Sequence, residues 1–570
     1  MEVVVTVARS RFFTAAALFL AAGVPAAIVA LLYAPSLAGG FLGDDFTLLL
    51  PFHAAHQRGD LIPTVGGMFA SGVGPPSHQY RPLTMLTFAL SEVSSGTSAA
   101  GWRAVNIALH AANAALVSLL LLSMLVRRGG TGASRALFAA IAAGTLFAVF
   151  PPSVEAVAWI AARFDPMVLF WMLVSACAFV RSRHWNDGFN AVSLAAAVLA
   201  FMCKEAAAIL PILIVTLAWW KQDASPRGGA VARALIDAAP WMLITAGYFA
   251  LRLWIFGDAF SVLPGSSPGR ALVSGQWAAN LESLGPWWVR ALPEAGPRRA
   301  LEISVAILAL LAVAGAARDR TLARALAALA LAAVAGMGML LLQLAWPANG
   351  EGGRVFYEVW AMWTAALALA LASERAPVRA LAAAALLVAV TAGVLLANAA
   401  IDRRVIAGRD LDALRVELAR VAADVPAQSY AFVVVPDHLG AIPFARNAQA
   451  GLLLPPLQAA PLAPRVIVQT PLELDRWPDL FTRDIIARLR REPLLEIAAN
   501  LLTPRTEGPH AMPDRFFCFN PRTHALAALQ LDFAPGLADW DAQWRRALAS
   551  GECGGDAAQP SSSAPGTRVP

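Results

Sequence analysis

Charge is what this chain lacks. Asp, Glu, Lys and Arg make up 14% of its 570 residues, against about 25% in an ordinary soluble domain. With 58% hydrophobic residues and a mean hydropathy of +0.59, a soluble globular chain is excluded and a polytopic membrane protein is implied. Cysteine is scarce too. Cys177 and Cys203 fall in apolar runs, Cys518 and Cys553 in the polar C-terminal part, and the four show no metal-ligand spacing. A Gly-rich phosphate loop is also missing, which argues against a soluble nucleotide-sugar donor. The net charge of +6 is spread over a long chain. Membrane proteins collect Lys and Arg on cytoplasmic loops, so this charge makes no case for nucleic acid.

What the chain has is long apolar runs. Phe12 to Ala34 is long enough, at about 1.5 Å per residue, to cross a bilayer core of roughly 30 Å. It is too long for the apolar part of a signal peptide, so an uncleaved first helix is expected. Length and apolarity predict about eleven membrane segments, near 12–34, 104–126, 136–151, 166–181, 189–203, 206–220, 234–256, 300–317, 325–345, 358–373 and 378–399. The pair 189–203 and 206–220 reads as two short helices meeting at Lys204–Glu205. With the N-terminus inside, every cytoplasmic connection is basic, carrying among others Arg127, Arg135, Lys221, Arg324 and Arg379, as the positive-inside rule requires. That places the first loop, about 35–102, and the C-terminal part on the opposite, periplasmic face of a bacterial inner membrane.

Asp44 and Asp45 stand just where the first span ends. A carboxylate at that depth is costly unless it faces water, a cation or a partner, so the pair is a functional hypothesis with a helix-ending turn as its structural alternative. Other unusual polar residues gather on the same face: His53, His56, His78, Tyr80, Arg81, Glu155, Lys204, Glu205, Tyr248, Arg252, Arg354 and Tyr357. Paired carboxylates hold a divalent cation (Mg or Mn) or take a proton from an attacking hydroxyl. Arg and Lys hold a phosphate and offset its charge as it leaves. The set suits group transfer from a lipid-linked phosphate. Each member also has a plainer reading. Arg81 snorkels at a loop-helix junction, Lys204 and Glu205 neutralise each other, and Glu155 is a first-turn acid. Arg354 makes a surface pair with Glu351 or Glu358, and Asn106, His110 and Asn113 bond neighbouring helices. The 271–293 stretch, with Trp277, Leu281, Leu284, Trp287 and Trp288 at helical spacing, predicts an amphipathic helix along the membrane surface.

Six pieces occur in order: Asp44-Asp45, Tyr80-Arg-Pro-Leu83, Asn106-x3-His110-x2-Asn113, Glu155-Ala-Val-Ala-Trp-Ile160, Lys204-Glu205 and Arg354-x2-Tyr357. The series resembles the GT-C membrane glycosyltransferases, in particular the branch with the transmembrane O-mannosyltransferases bearing tetratricopeptide repeats and their bacterial relatives. The resemblance covers about 35–360. It implies transfer of a sugar from a polyprenyl-phosphate donor to a periplasmic envelope glycan, lipid or protein. By it, Asp44, Asp45 and Glu155 are catalytic candidates, with Asp44 the base and Asp45 supporting it or holding metal. Arg81, Lys204 and Arg354 are donor-phosphate candidates, and Tyr80, His110, Arg252 and Tyr357 support them. Two departures stand out. Where that branch has His-Pro-x-His-x-Glu, this chain has Phe150 to Glu155 without either histidine. No period of about 34 residues is present, hence no tetratricopeptide array.

The whole is expected as a polytopic α-helical, GT-C-like domain over 1–401, a periplasmic α/β domain over 402–550 and a disordered tail over 551–570. Strands are predicted at Ala431–Pro436, Arg465–Val468 and Arg515–Phe519, and helices at Asp410–Ala423 and Asp484–Arg491. Cys518 and Cys553 are able to pair in an oxidising compartment. Two other functions use the same features: a ligase for lipid-linked oligosaccharides, and a non-enzymatic glycan transporter or assembly scaffold.

Overall fold

The computed structural model describes residues 2–72, 78–128, 131–184, 186–222, 229–260, 272–342, 349–426, 431–462, 465–470, 515–520, 523–529 and 546. Asp484–Arg491, Cys553 and the 551–570 tail lie outside these. The chain divides into two compact units. The first comprises Met1–Leu37, Gly59–Ser91 and Gly101–Asp402; the second comprises Ala38–Arg58, Glu92–Ala100 and Arg403–Pro570. The second unit therefore takes in the Asp44–Asp45 stretch.

The first unit is helical. Among the described residues eight helices are long and apolar enough to cross a membrane, and the protein is an integral membrane protein. The eight are fewer than the segments expected from sequence, for a physical reason. The runs at 136–151, 189–203 and 206–220 fold as helices Ala133–Ala148, Gly188–Phe201 and Leu210–Lys221, of 16, 14 and 12 residues. At these lengths they fall below the roughly 20 residues of a full single-helix span and are not counted among the eight. The break expected at Lys204–Glu205 is present, with Lys204 extended at φ −167°, ψ 147° ahead of a short 3-10 turn, Glu205–Ile209. Such a break between apolar helices survives only if its backbone finds partners. Leu83 N donates to the Met202 carbonyl at 3.1 Å and Thr84 Oγ1 to that of Cys203 at 3.3 Å. Small residues allow close helix approach: Ala136, Ala139, Ala140 and Ala143 are all fully buried.

The basic residues of the connections have local work as well. Arg127 Nη1 donates to the Val180 carbonyl at 2.9 Å, Lys221 Nζ to that of Ser182 at 3.1 Å, Arg324 Nη2 to that of Trp219 at 2.5 Å and Arg379 Nη1 to that of Ser373 at 2.9 Å. These carbonyls lie at helix C-terminal ends, where backbone acceptors lack helical partners and the dipole favours cations. The amphipathic helix runs over Gln276–Ala291. Trp277 and Leu281 are exposed while Trp287 is buried and donates to the Glu351 carbonyl at 2.7 Å.

The second unit carries an α/β sheet. Strands β1 (Ala431–Val434), β4 (Val466–Gln469), β5 (Arg515–Asn520) and β6 (Ala525–Leu529) lie in the order β4-β1-β5-β6. β1 is parallel to both neighbours and β6 antiparallel to β5. A small hairpin, β2 (His438–Leu439) with β3 (Ile442–Pro443), follows β1. Buried on both faces, β1 has the continuous apolar sequence such a strand needs. The last span and the expected 410–423 helix prove to be one helix, Ala376–Asp424, because no proline interrupts it after Pro377.

Candidate functional site

In the first unit, two ion pairs lie side by side around the break. Arg81 immediately precedes the helix Pro82–Ser95, where proline suits the first helical position. Its Nε and Nη2 meet the Glu205 carboxylate at 3.1 and 2.5 Å, and its guanidinium lies 4.8 Å from the Phe164 ring centroid. Lys204 pairs with Asp165, in the first turn of helix Phe164–Arg181. Burial pushes the Glu205 carboxyl up, but the bonded Arg81 guanidinium and the neighbouring Lys204 outweigh it and hold it down at about 2. Two cations and two carboxylates thus balance in a half-enclosed place, with Arg81, Lys204 and Glu205 each retaining some exposure.

The surroundings hold this arrangement still. Asn113 Nδ2 donates to the Pro166 carbonyl at 2.9 Å, next to Asp165. His110 Nε2 faces the Ala148 carbonyl at 3.2 Å and so carries hydrogen there. In its neutral form the ring then takes the Tyr357 hydroxyl at Nδ1, 2.6 Å away. Asn106 Nδ2 donates to the Trp159 carbonyl at 3.1 Å and its Oδ1 accepts from Arg163 Nε at 2.8 Å. Arg163, fully buried, also binds the Thr87 and Trp102 carbonyls at 2.9 and 2.8 Å. Asn106, His110 and Asn113 therefore do bond neighbouring segments.

Glu155 and Arg354 pair with each other. The Glu155 carboxylate also accepts from Gly352 N and Gly353 N, each at 2.9 Å at its closer oxygen. Arg354 reaches Glu351 at 3.4 Å, and its guanidinium lies 4.7 Å from the Trp159 ring centroid. The expected surface pair is corrected on one point: the carboxylates that Arg354 meets, Glu155 and Glu351, are buried. Tyr80 donates to the Phe69 carbonyl at 2.9 Å, and burial pushes its phenol up. Arg252 Nε donates to the Ala259 carbonyl at 2.8 Å and its guanidinium faces the Tyr248 and Phe256 rings. His78 stacks on Phe256.

In the second unit, Asp44 and Asp45 take different roles. Asp45 is buried, and its Oδ2 accepts from Leu42 N at 2.9 Å, a turn-closing bond. Asp44 stays partly exposed, with Oδ1 accepting from Asn447 Nδ2 at 2.7 Å and Oδ2 from Arg446 Nη2 at 3.3 Å. His53 and His56 both face Glu92, at 2.8 and 3.6 Å. Among the described residues no group of three or more His, Cys, Asp or Glu side chains is arranged to hold a metal ion.

Sequence reading missed Arg163, Asp165, Arg446 and Asn447. For the first two a signal existed, since charges inside the apolar run 156–180 are rare enough to mark. Arg446 and Asn447 sit in an ordinary polar loop and gave none.

No family model matches the chain. Curated relatives do. It is 31% identical over 193 residues to the protein O-mannosyl-transferase Tmtc1 of Drosophila melanogaster, covering 32% of this chain and 20% of that one. It is 28% identical over 191 residues to the human protein O-mannosyl-transferase TMTC4, covering 30% and 26%. The chain thus spans about a quarter or less of these relatives. Among solved structures, ArnT from Cupriavidus metallidurans bound to undecaprenyl phosphate aligns over 83% of this chain and 91% of that one, at 13% identity and a TM-score of 0.41. The chain is therefore similar, over about a third of its length, to protein O-mannosyl-transferases, the GT-C branch that its ordered motifs resemble.

Proposed function

We propose that this protein is a GT-C-type glycosyltransferase that moves a sugar from a polyprenyl-phosphate donor to an acceptor hydroxyl on the periplasmic face. The observation that carries the reading is the double ion pair Arg81–Glu205 and Lys204–Asp165 at a broken helix of a membrane protein. A lipid-linked phosphate entering beside it exchanges for the carboxylates, leaving Lys204 and Arg81 to bind phosphate oxygens as a point charge and a fork. In the reaction, the Asp44 carboxylate takes the acceptor hydroxyl's proton and the oxygen bonds to the sugar's anomeric carbon. The carbon–oxygen bond to phosphate breaks with inversion, and the departing polyprenyl phosphate keeps the electron pair. Its extra charge is offset by the two cations. Glu155 and Arg354 hold the turn that leads into the helix bearing Tyr357, and Asp45 closes the turn behind Asp44. The disulfide in which Cys518 takes part supports an oxidising, periplasmic side for the second unit.

The test is mass spectrometry of envelope glycans and glycoproteins from a deletion strain complemented with wild type, Asp44→Asn or Lys204→Met at equal expression. A sugar-sized mass lost on deletion and restored by wild type alone supports the reading and names sugar and acceptor. If both variants restore it, the mechanism is wrong. Loss of an oligosaccharide-sized mass assigns the ligase reaction instead, since the same donor phosphate serves it.

A further inference from the structure

The stretch Gly40–Phe46 folds as part of the second unit, and its fit there is close. Gly43 N donates to the Phe444 carbonyl at 2.9 Å. Gly43 itself has φ +49°, a conformation that favours glycine, and a Cβ there would stand close to its neighbours, 3.2 Å from Pro443 Cβ and 3.3 Å from the Arg446 carbonyl oxygen. Beyond it, the Phe46 ring lies against Gly451. Arg446 and Asn447 follow β3 and bind one oxygen each of Asp44. Asn447 is one of two non-glycine residues with positive φ among the described residues, at 58°. Such a conformation carries a cost that asparagine bears better than most residues, and it persists where surrounding structure requires it. Arg446 is held in turn, with Nη1 donating to His438 Nε2 at 3.3 Å. Since arginine only donates, His438 accepts there, which places its own hydrogen on Nδ1 in the neutral ring.

We propose that Arg446 and Asn447 of the C-terminal domain are positioning residues for the Asp44 carboxylate, so that this domain sets the orientation of the base. The proposal rests on the reading of Asp44 as that base. A carboxylate held at both oxygens cannot rotate, and a general base works only when its free lone pair points at the proton it takes. The bond from Arg446 is charge-assisted and so holds its oxygen more firmly than a neutral donor would. Neither residue touches the acceptor in this role; both act through Asp44.

Three measurements test it on the full-length protein. Asn447→Gly keeps the left-handed backbone and removes only the amide. It should lower product mass about tenfold or more while affinity for undecaprenyl phosphate, read by native mass spectrometry, and the unfolding temperature stay as in wild type. Arg446→Lys should retain product that Arg446→Gln loses, because the charge is kept. A paired Asp44→Cys and Asn447→Cys chain should yield a crosslinked 44–447 peptide on mapping. Full product from Asn447→Gly overturns the proposal. So does a loss of product that is matched by lost undecaprenyl phosphate binding and lower stability, since the role is then structural. A crosslinked 44–447 peptide alongside full product from Asp44→Asn would instead overturn the base reading, and the positioning role with it, while leaving the docking of the loop intact.

Discussion

Glu155 and Arg354, 199 residues apart in the chain, close an ion pair in which the carboxylate also takes the amide hydrogens of Gly352 and Gly353. One buried side chain thereby takes two successive backbone amides of a glycine-rich turn. Removing one partner of a buried pair leaves the other uncompensated.

Glu155→Ala should therefore destabilise the protein by about 3 kcal/mol, with Arg354→Ala costing less because Arg354 is partly exposed. Thermal unfolding in detergent measures both. Equal, negligible effects would show that the turn holds without the pair.

Stability at low pH should depend on Glu205. Its carboxyl sits at about 2, below the ordinary 4.5, so the folded form binds the proton less readily than the unfolded form. The resulting stabilisation is complete above about pH 4.5 and lost as pH falls towards about 2. From the width of that shift it amounts to about 3 kcal/mol at neutral pH. Denaturant unfolding of wild type and Glu205→Gln between about pH 6 and pH 2, a range that brackets the titration, should show the wild type losing stability that the variant lacks throughout. Parallel curves would contradict the pairing with Arg81.

Gly451→Ala should displace Phe46, since the added Cβ would overlap its ring. Overpacking of this kind costs about 1–3 kcal/mol. Because Phe46 closes the Asp44 turn, product formation should fall along with stability. Unchanged activity in this variant would separate the docking of Phe46 from the position of Asp44.

Thiol counting checks the compartment. Cys177 and Cys203 are free and Cys518 is disulfide-bonded, so in the denatured chain a thiol label should reach Cys177 and Cys203 without reduction and Cys518 only after it. Label on Cys518 before reduction would remove the support for an oxidising side.

Much was legible in the sequence. Long apolar runs specify spans because hydrocarbon admits only backbone that bonds to itself. The short apolar run Ala431–Val435, stopped by Pro436, specifies β1 in the same way by length and its closing proline. The break at Lys204–Glu205 was legible because two charges cannot continue an apolar helix without partners. Who those partners are was not. Lys204 and Glu205 look like a pair in sequence, yet each turns to a different segment, Asp165 and Arg81.

The chain by itself thus determined membrane class, the break, the ordered motifs and the resemblance they carry, because these depend on local hydropathy and residue order. Tertiary structure decided which acid meets which base. It gave Asp45 to a turn, Glu155 to Arg354, and Asp44 to Arg446 and Asn447. Those choices depend on distances between segments far apart in the chain, and hydropathy and spacing do not encode them.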